Sequence, residues 1–205
     1  MITVIDYGAG NIGSIVNMFK RLGAATITTS DPVCIKEASK LVLPGVGSFD
    51  VGISKLKESG LVEILNQKVI EEKIPILGIC LGVQLMTKGS EEGNLPGLGW
   101  FNAETIKFKF DDLQTKLKIP HMGWADTIVK KASPLFSANE EEHRYYYVHS
   151  YHLSANNEND ILVKAHYGYE FAAGLEKENI MGVQFHPEKS HKFGMRLFKN
   201  FIDNI

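Results

Sequence analysis

One stretch of the sequence indicates the fold, and it reads Pro75-Ile76-Leu77-Gly78-Ile79-Cys80-Leu81-Gly82. Its apolar first part, bounded by proline and glycine, is typical of a buried strand in the middle of a sheet. The segment before it repeats apolar residues at helical spacing, at Leu61, Ile64, Leu65 and Val69. A helix that leads into a buried strand predicts a parallel sheet, and a second helix is expected to begin near Leu81.

The first half of the chain alternates β-rich runs with helical ones. We expect strands from Ile2 to Asp6, from Ala25 to Thr29 and from Leu41 to Pro44, and a helix from Ile12 to Leu22. Such alternation is typical of crossover units in a parallel sheet.

The pattern changes after about residue 98, where strand-like segments follow one another with little helix between them. These segments run from Phe101 to Phe110, Arg144 to Tyr151, Ile161 to Ala165 and Ile180 to Phe185. A final apolar stripe at helical spacing predicts a C-terminal helix, with Leu197, Phe198, Phe201, Ile202 and Ile205 on one side. We predict a three-layer α/β fold, with helices flanking a mostly parallel central sheet and an antiparallel or mixed C-terminal part.

The length and composition of the chain limit the number of domains and the classes of partner that can be expected. The chain has 205 residues, of which 44% are hydrophobic, and a net charge of −2. We therefore expect a single domain over residues 1–205 with one substantial core. Basic and acidic residues are interspersed, which disfavours nucleic acid and membranes as partners and favours a small polar substrate or a protein. Without a secretory signal or a spanning apolar run, the chain is expected to be cytoplasmic.

Cys80 lies where the buried strand meets the next helix, in the cysteine form of a Gly-x-Ser-x-Gly turn. Such a turn crowds neighbouring Cβ atoms and holds its central residue in a sparsely populated backbone region, so the sulfur projects outward. Unpaired N–H groups at the start of the helix favour thiolate. The alternative is an ordinary buried thiol. Cys34 has no glycine frame, and two cysteines make no disulfide framework.

A thiolate nucleophile needs a histidine to hold its proton and a third group to orient the imidazole. Both occur in Gly182-Val183-Gln184-Phe185-His186-Pro187-Glu188, at the end of an apolar strand. Residues two apart on an extended backbone face the same way, so His186 and Glu188 can converge, and Pro187 stiffens the link. The alternative is a surface histidine and glutamate beside a turn.

His149 and His152 are close in the sequence and could be proposed as a pair of metal ligands. Their odd separation in a strand-like segment predicts side chains on opposite faces of the strand. We therefore expect no zinc site, and no cofactor.

The strand from Leu41 to Pro44 runs into the glycine-rich loop Gly45-Val46-Gly47-Ser48-Phe49. Two glycines let backbone N–H groups point at a ligand without obstruction by side chains, as an oxyanion hole requires. The alternative is a loop that only turns the chain, because Pro-Gly-x-Gly alone is a weak pattern.

Six blocks occur in a fixed order: Asp6-Tyr7-Gly8-Ala9-Gly10-Asn11, Pro44-Gly45-Val46-Gly47, Gly78-Ile79-Cys80-Leu81-Gly82-Val83-Gln84, Pro120-His121-Met122-Gly123-Trp124, Tyr147-Val148-His149-Ser150-Tyr151 and Gln184-Phe185-His186-Pro187-Glu188-Lys189-Ser190. Together they resemble the class I (triad) glutamine amidotransferases. Within that superfamily they look like the glutaminase subunit of imidazole glycerol phosphate synthase. The resemblance runs from Ile2 to the C-terminus.

The resemblance implies three groups of site residues for the hydrolysis of L-glutamine. They are a catalytic triad of Cys80, His186 and Glu188, an oxyanion hole made by N–H groups of the Val46–Gly47 peptide and of Leu81, and a substrate head-group site at Gln84, His149, Ser150 and Tyr151.

The resemblance also implies a (β/α)₈-barrel synthase as partner in a heterodimer, with Asn11, Met122, Trp124 and Lys189 near the joint. One departure is Ala125, where the family commonly has asparagine, and it bears on the partner contact and hence on the pathway. Close bacterial relatives of this subunit deliver ammonia for the amidination of surface-polysaccharide sugars, and the sequence separates the two pathways poorly.

The Pro44-Gly45-Val46-Gly47 loop suggests how activity is controlled. A peptide flanked by glycine can rotate between donor-in and donor-out states, and a partner need bias that equilibrium by only a few kcal/mol to change the rate greatly. We expect a very low rate for the isolated chain and strong stimulation by the partner.

Two other classes of function compete with this hypothesis. A non-catalytic docking subunit predicts a damaged triad, whereas Cys80, His186 and Glu188 are all present. A different cysteine hydrolase on the same fold is disfavoured by Gln84 and by the His149-Ser150-Tyr151 segment.

Overall fold

The computed structural model describes residues 1–110, 117–136 and 142–205. Its parallel strands gather around the segment that leads to Cys80. In sheet order these strands are β2 (Thr26–Thr29), β1 (Ile2–Ile5), β3 (Leu41–Leu43), β4 (Ile76–Ile79) and β11 (Ile180–Val183). Every residue of β4 is buried, as expected for a strand covered on both faces.

The sheet continues beyond β11 with antiparallel pairing. Its next strands are β10 (Tyr169–Lys177), β9 (Ile161–Tyr167), β6 (His121–Val129) and β7 (Arg144–His149). Two further strands, β5 (Ala103–Lys107) and β8 (Tyr151–Ala155), pair with each other, and β8 also pairs with β10. The predicted mixed α/β sheet is therefore confirmed.

Helices cover both faces of the sheet. One face carries α1 (Ile12–Arg21) and α6 (His191–Asn204), which meet where the Phe19 and Phe198 rings lie 4.6 Å apart. The other face carries α2 (Pro32–Lys36), α3 (Phe49–Glu58), α4 (Val62–Asn66) and α5 (Leu81–Leu85).

Alternate residues of the central strands supply the two hydrophobic cores. In β1, Val4 packs with α1 and α6, whereas Ile5 packs with the helices of the opposite face. Successive side chains of a strand point to opposite faces, so a strand such as β1 that is buried at every position fits the middle layer of three.

Several boundaries differ from the predicted ones. The segment from Arg144 to Tyr151 is two strands, because the chain bends at Ser150 between β7 and β8. The predicted strand from Phe101 to Phe110 is limited to β5, and the helix predicted through Val69 changes into a π-helical turn at Gln67–Glu71.

The C-terminal stripe packs as predicted. Leu197, Phe198 and Phe201 are buried, and Ile202 and Ile205 pack partly against them, although Ile205 follows the end of α6. In the three described ranges, no helix combines the length and the apolar character needed to cross a membrane.

Candidate active site

A cavity of about 590 Å³ opens at the carboxyl ends of β3 and β4, where ligands of open α/β sheets usually bind. The residues that line it come from segments that are distant from one another in the sequence. The lining residues are Asn11, Val46, Gly47, Cys80, Leu81, Gln84, Glu92, Pro120, Val148, His149, Ser150, Tyr151, His186 and Lys189.

Cys80 has the strained backbone that its glycine frame predicts. Its φ is 54° and its ψ is −111°, between the end of β4 and the start of α5. Its N–H donates to the Val183 carbonyl at 2.8 Å, which holds the turn against β11. A Cβ on Gly82 would lie 1.9 Å from the Leu43 carbonyl oxygen, so only glycine lets the turn pack this closely.

His186 and Glu188 converge as predicted, with Nδ1 and Oε1 2.7 Å apart and side chains only 2% and 1% exposed. The local geometry differs from the predicted extended one, because Pro187–Lys189 forms a 3₁₀ turn. The position of the imidazole is also fixed from β7, since the His186 N–H donates to the Tyr146 carbonyl at 2.9 Å.

His186 holds a proton in this arrangement. Burial lowers its pKa, but hydrogen bonding with Cys80 and Glu188, together with their negative charges, raises the pKa to about 10. At neutral pH His186 is therefore an imidazolium between a sulfur and a carboxylate, and it can deliver a proton to a leaving group.

The loop from Pro44 to Gly47, which is predicted to supply an oxyanion donor, is held by a hydrogen bond from Tyr7. Burial and the charge of Cys80 raise the pKa of Tyr7, so its hydroxyl keeps its proton and donates to the Pro44 carbonyl at 2.7 Å. The Leu81 N–H donates to the Gly45 carbonyl at a long 3.3 Å. One of the two predicted oxyanion donors therefore points at the loop in this conformation.

The predicted head-group residues share one side of the cavity. Gln84 Nε2 donates to the Tyr151 carbonyl at 3.4 Å, and His149 Nδ1 lies 2.7 Å from the same oxygen. A carbonyl can only accept, so His149 carries its proton on Nδ1 and accepts the His121 Nδ1–H through Nε2 at 3.2 Å.

The prediction that His149 and His152 lie on opposite faces is wrong. Both rings pack on Phe108, with centroid distances of 5.3 and 4.7 Å, because the bend at Ser150 rotates the chain between them. Within the described part of the chain, no three His, Cys, Asp or Glu side chains are grouped as ligands of a metal ion.

The buried histidines predict loss of stability in acid. Burial lowers the pKa of His121 to about 4 and of His149 to about 3, from an ordinary value of 6.5. Below an ordinary pKa of 6.5 the unfolded chain binds more protons at these two positions than the folded chain does. Their contribution to the free energy of unfolding is therefore complete above about pH 6.5 and falls by about 1.4 kcal/mol per pH unit for each histidine as the pH is lowered toward its folded-state pKa.

Urea unfolding of the wild-type chain and of His121→Gln between about pH 4.5 and 6.5 measures this effect. Glutamine can still donate to His149 but does not titrate, so the variant should show a slope lower by about 1.4 kcal/mol per pH unit. Equal slopes would contradict the buried neutral state of His121.

The model of the "Glutamine amidotransferase class-I" family matches residues 3–205. The chain belongs to the class-I glutamine amidotransferases. It is 54% identical over 202 residues to imidazole glycerol phosphate synthase subunit HisH 2 of Methanococcus maripaludis, with 98% of both chains covered. It is 46% identical over 205 residues to the subunit of the same name from Pseudomonas aeruginosa, with 100% of both chains covered.

Solved structures share the fold of this amidotransferase. A crystal structure described as a glutamine amidotransferase has a TM-score of 0.73 at 17% identity and covers 99% of this chain and 98% of that chain. The PurLQS structure from Thermotoga maritima has a TM-score of 0.70 at 18% identity and covers 98% of this chain and 97% of that chain.

The four residues predicted for the partner joint of the amidotransferase lie in the cavity wall and on strand β6. Asn11 and Lys189 line the cavity, while Met122 and Trp124 are 62% and 38% exposed on the outer face of β6. Tyr146 lies between Trp124 and Lys189, since its ring is 6.3 Å from the Trp124 ring and 5.9 Å from Lys189 Nζ.

The departure at Ala125 lies on the opposite face of β6. Ala125 packs partly against the hydrophobic core, on the same side as the buried His121 and Thr127. The substitution therefore does not alter the outer face that carries Met122 and Trp124.

Two residues of the amidotransferase site had no predicted role. Glu92 lines the cavity and accepts the Phe49 N–H through Oε2 at 2.8 Å, and its sequence context carries no signal for this. Gln184 is completely buried beside Cys80, in the same sequence block as His186, Glu188 and Lys189, but the family resemblance implies no role for it.

Proposed function

We propose that this chain is the glutaminase subunit of an imidazole glycerol phosphate synthase. It hydrolyses L-glutamine to glutamate and ammonia at Cys80 and delivers the ammonia to a (β/α)₈-barrel synthase in a heterodimer, for histidine biosynthesis. The observation that carries the proposal is the arrangement of Cys80 and His186 in the wall of one cavity, with Glu188 2.7 Å behind the histidine.

In the first half-reaction the Cys80 thiolate attacks the carboxamide carbon of glutamine. The carbonyl electrons move onto oxygen, which the N–H groups of Leu81 and of the Val46–Gly47 peptide stabilise. His186, protonated at rest, gives its proton to the nitrogen as the C–N bond breaks. Ammonia leaves, and a glutamyl thioester joins the substrate to the sulfur.

Water completes the reaction. His186 is now neutral and accepts a proton from a water molecule as the oxygen attacks the thioester carbon. The C–S bond breaks, glutamate is released, and the thiolate and imidazolium are restored. Glu188 keeps the Nδ1–H of His186 directed away from the sulfur, so that Nε2 serves as base and acid.

The amino-acid end of glutamine requires charged or polar groups at the other side of the cavity. Glu92 is suited to the α-ammonium group, because one of its oxygens is held by the Phe49 N–H while its carboxylate carries a negative charge into the cavity. Gln84 and the Ser150–Tyr151 segment supply further polar contacts.

The partner surface is proposed to include Asn11, Met122, Trp124 and Lys189. An exposed methionine and an exposed tryptophan next to a cavity are typical of the apolar centre of a protein interface. Asn11 and Lys189 of this surface line the cavity, so a barrel docked there would cover the site at which ammonia is released.

The competing functions are less well supported. The names of the relatives with 54% and 46% identity favour imidazole glycerol phosphate synthesis over sugar amidination. A docking subunit without catalysis has no need for a strained cysteine beside a protonated histidine.

A glutamine-like electrophile tests this function directly. We expect 6-diazo-5-oxo-L-norleucine to label Cys80 and not Cys34, and L-glutamine to slow the labelling. Glu92→Gln should lower the labelling rate by roughly tenfold or more, because one charged contact to the α-ammonium is lost. Peptide mass spectrometry measures the rate at each cysteine.

Two controls make the labelling specific. The D-enantiomer has the same reactive group with the wrong placement of the ammonium, and it should label slowly. Glu91→Gln removes the neighbouring carboxylate, which accepts from Lys107 and Lys109 and does not line the cavity, and it should label at the wild-type rate. Labelling of Cys34 as fast as Cys80, or equal rates for both enantiomers, would contradict the proposed site.

A further inference from the structure

Gln184 places a buried amide directly beside the nucleophile. It follows β11 and precedes His186 by two residues, and its side chain is completely inaccessible to solvent. Its neighbours Val183 and Phe185 are also completely buried but apolar. A buried amide costs free energy unless its groups are paired, so this position calls for specific partners.

The Gln184 side chain has two such partners, both far away in the sequence. Its Oε1 accepts the Gln84 Nε2–H at 3.0 Å, and its Nε2 lies 3.9 Å from Cys80 Sγ, within the range of an N–H donor to sulfur. One amide therefore connects a residue of the substrate cavity to the reacting atom.

The connection determines which end of Gln84 faces the cavity. A glutamine amide has two N–H donors, and those of Gln84 are taken by Gln184 Oε1 and the Tyr151 carbonyl. Only Gln84 Oε1 is left to the cavity that Gln84 lines. A flipped amide would present donors to the substrate and bring two oxygens together at Gln184.

The other end of Gln184 acts on the sulfur. A thiolate accepts N–H groups more strongly than a thiol does, since hydrogen bonds to a charged acceptor are roughly twice as strong as neutral ones. An amide N–H held beside Cys80 therefore favours the charged nucleophile and fixes its position.

We propose that Gln184 is a positioning residue of this site, which holds the Gln84 amide oxygen toward the substrate and supplies an N–H to the Cys80 thiolate. The substrate part of this inference rests on the proposed glutaminase function. The contact with the sulfur does not depend on it.

Alkylation by iodoacetamide tests both parts without turnover. The reagent is small and uncharged, so its rate at Cys80 reports the sulfur, and Cys34 in the same digest is an internal reference. The glutamine concentration that halves this rate reports substrate binding. The variants are Gln184→Met, which keeps the length of the side chain without hydrogen bonds, Gln84→Met, and the double variant.

We expect Gln184→Met to slow alkylation of Cys80 by about tenfold and to raise the protecting glutamine concentration by about tenfold, since each lost contact involves a charged group or orients a substrate ligand. Gln84→Met should raise the protecting glutamine concentration by a similar factor, because it removes the substrate ligand itself. The double variant should need the same glutamine concentration as Gln84→Met, because Gln184 acts on the substrate through Gln84.

A purely structural role for Gln184 predicts a different result, namely a lower melting temperature with wild-type values in both measurements. Thr127→Val is the matched control, since it removes a buried hydrogen bond to Tyr147 and should lower stability alone. Gln184→Asn keeps the polar amide but is one methylene shorter, and it replaces Gln184→Met if that variant does not fold.

The proposal would be overturned if Gln184→Met had the wild-type alkylation rate at Cys80 or the wild-type protecting glutamine concentration. It would also be overturned if the protecting concentration of the double variant rose by the product of the two single-variant factors. Failure of the proposed function is distinguishable from this result. If glutamine gives the wild-type chain no protection and is not hydrolysed, the proposed function is wrong. The alkylation rate of Cys80 relative to Cys34 still tests the contact between Gln184 and the sulfur.

Discussion

Replacing Cys80 with alanine should abolish glutamine hydrolysis while leaving the chain folded. The Cys80 sulfur lines the cavity and forms a hydrogen bond with His186, so its removal should reduce the rate by roughly 10⁴-fold or more. The fold should survive because alanine meets the same strained φ of 54° as cysteine and fills less space. Glutamate release and thermal unfolding measure the two outcomes.

Cys34→Ala is the matched control for this experiment. Cys34 lies in α2 with its sulfur 3.6 Å from an Asp31 carboxylate oxygen, and it does not line the cavity. This variant should hydrolyse glutamine at the wild-type rate. Turnover in Cys80→Ala comparable to that of the wild type would rule out the thioester mechanism.

The nucleophile turn could be predicted because its cause is local. The positive φ of Cys80 arises inside the Gly-x-Cys-x-Gly pattern itself, where the flanking glycines leave room for the strained turn. The same holds for β3 and β4, whose uninterrupted runs without polar side chains match burial on both faces of a parallel sheet, and for β1, in which Thr3 is the one polar residue.

The strands β6 and β10 were not predicted, because their patterns are weak. Gly123 interrupts β6 with a φ of +136°, and alternate residues of that strand are exposed, while only His121 and Thr127 are fully buried. The pairing of β10 with β9 shifts register around Gly174. Glycine and one-sided burial both reduce the contrast on which a sequence prediction of strands depends.

The site residues without a predicted role act through contacts between distant segments. Glu92 reaches Phe49 across 43 residues, and Gln184 reaches Cys80 across 104. The side chains of His149 and His152 turn to the same Phe108 only because Ser150 bends the chain. No local pattern encodes these relations, since they depend on how strands are placed in the sheet.

Adding the proposed barrel partner with its ligand bound should raise the glutaminase rate by about 10²- to 10³-fold, which corresponds to about 3 to 4 kcal/mol at the transition state. The physical reason lies in the loop from Pro44 to Gly47. In the isolated chain the Leu81 N–H is directed at the Gly45 carbonyl, so it is not free for an oxyanion. A rotation within this loop would release it and turn a second N–H into the cavity.

The loop is placed where a partner can bias this rotation. Val46 is 45% exposed and lines the cavity, and a Cβ on Gly47, whose φ is +108°, would meet no atom within 4 Å apart from those of Gly47 and its two chain neighbours. The peptide between them therefore has the space and the backbone freedom to turn. Behind it, Tyr7 holds the Pro44 carbonyl and restricts the change to the glycine-flanked part.

The measurement is glutamate release by the isolated chain, by the complex, and by the complex with imidazole glycerol phosphate. Trp124→Ala should raise the partner concentration needed for half-maximal stimulation without changing the saturated rate, because Trp124 lies on the proposed joint and not in the cavity. Val33→Ala removes an exposed apolar side chain from α2 and should leave both values unchanged. Equal rates of glutamate release with and without the liganded partner would contradict this prediction. The hydrogen bond from the Leu81 N–H to the Gly45 carbonyl would then be no obstacle to catalysis, and the oxyanion donors would already be available in the free subunit.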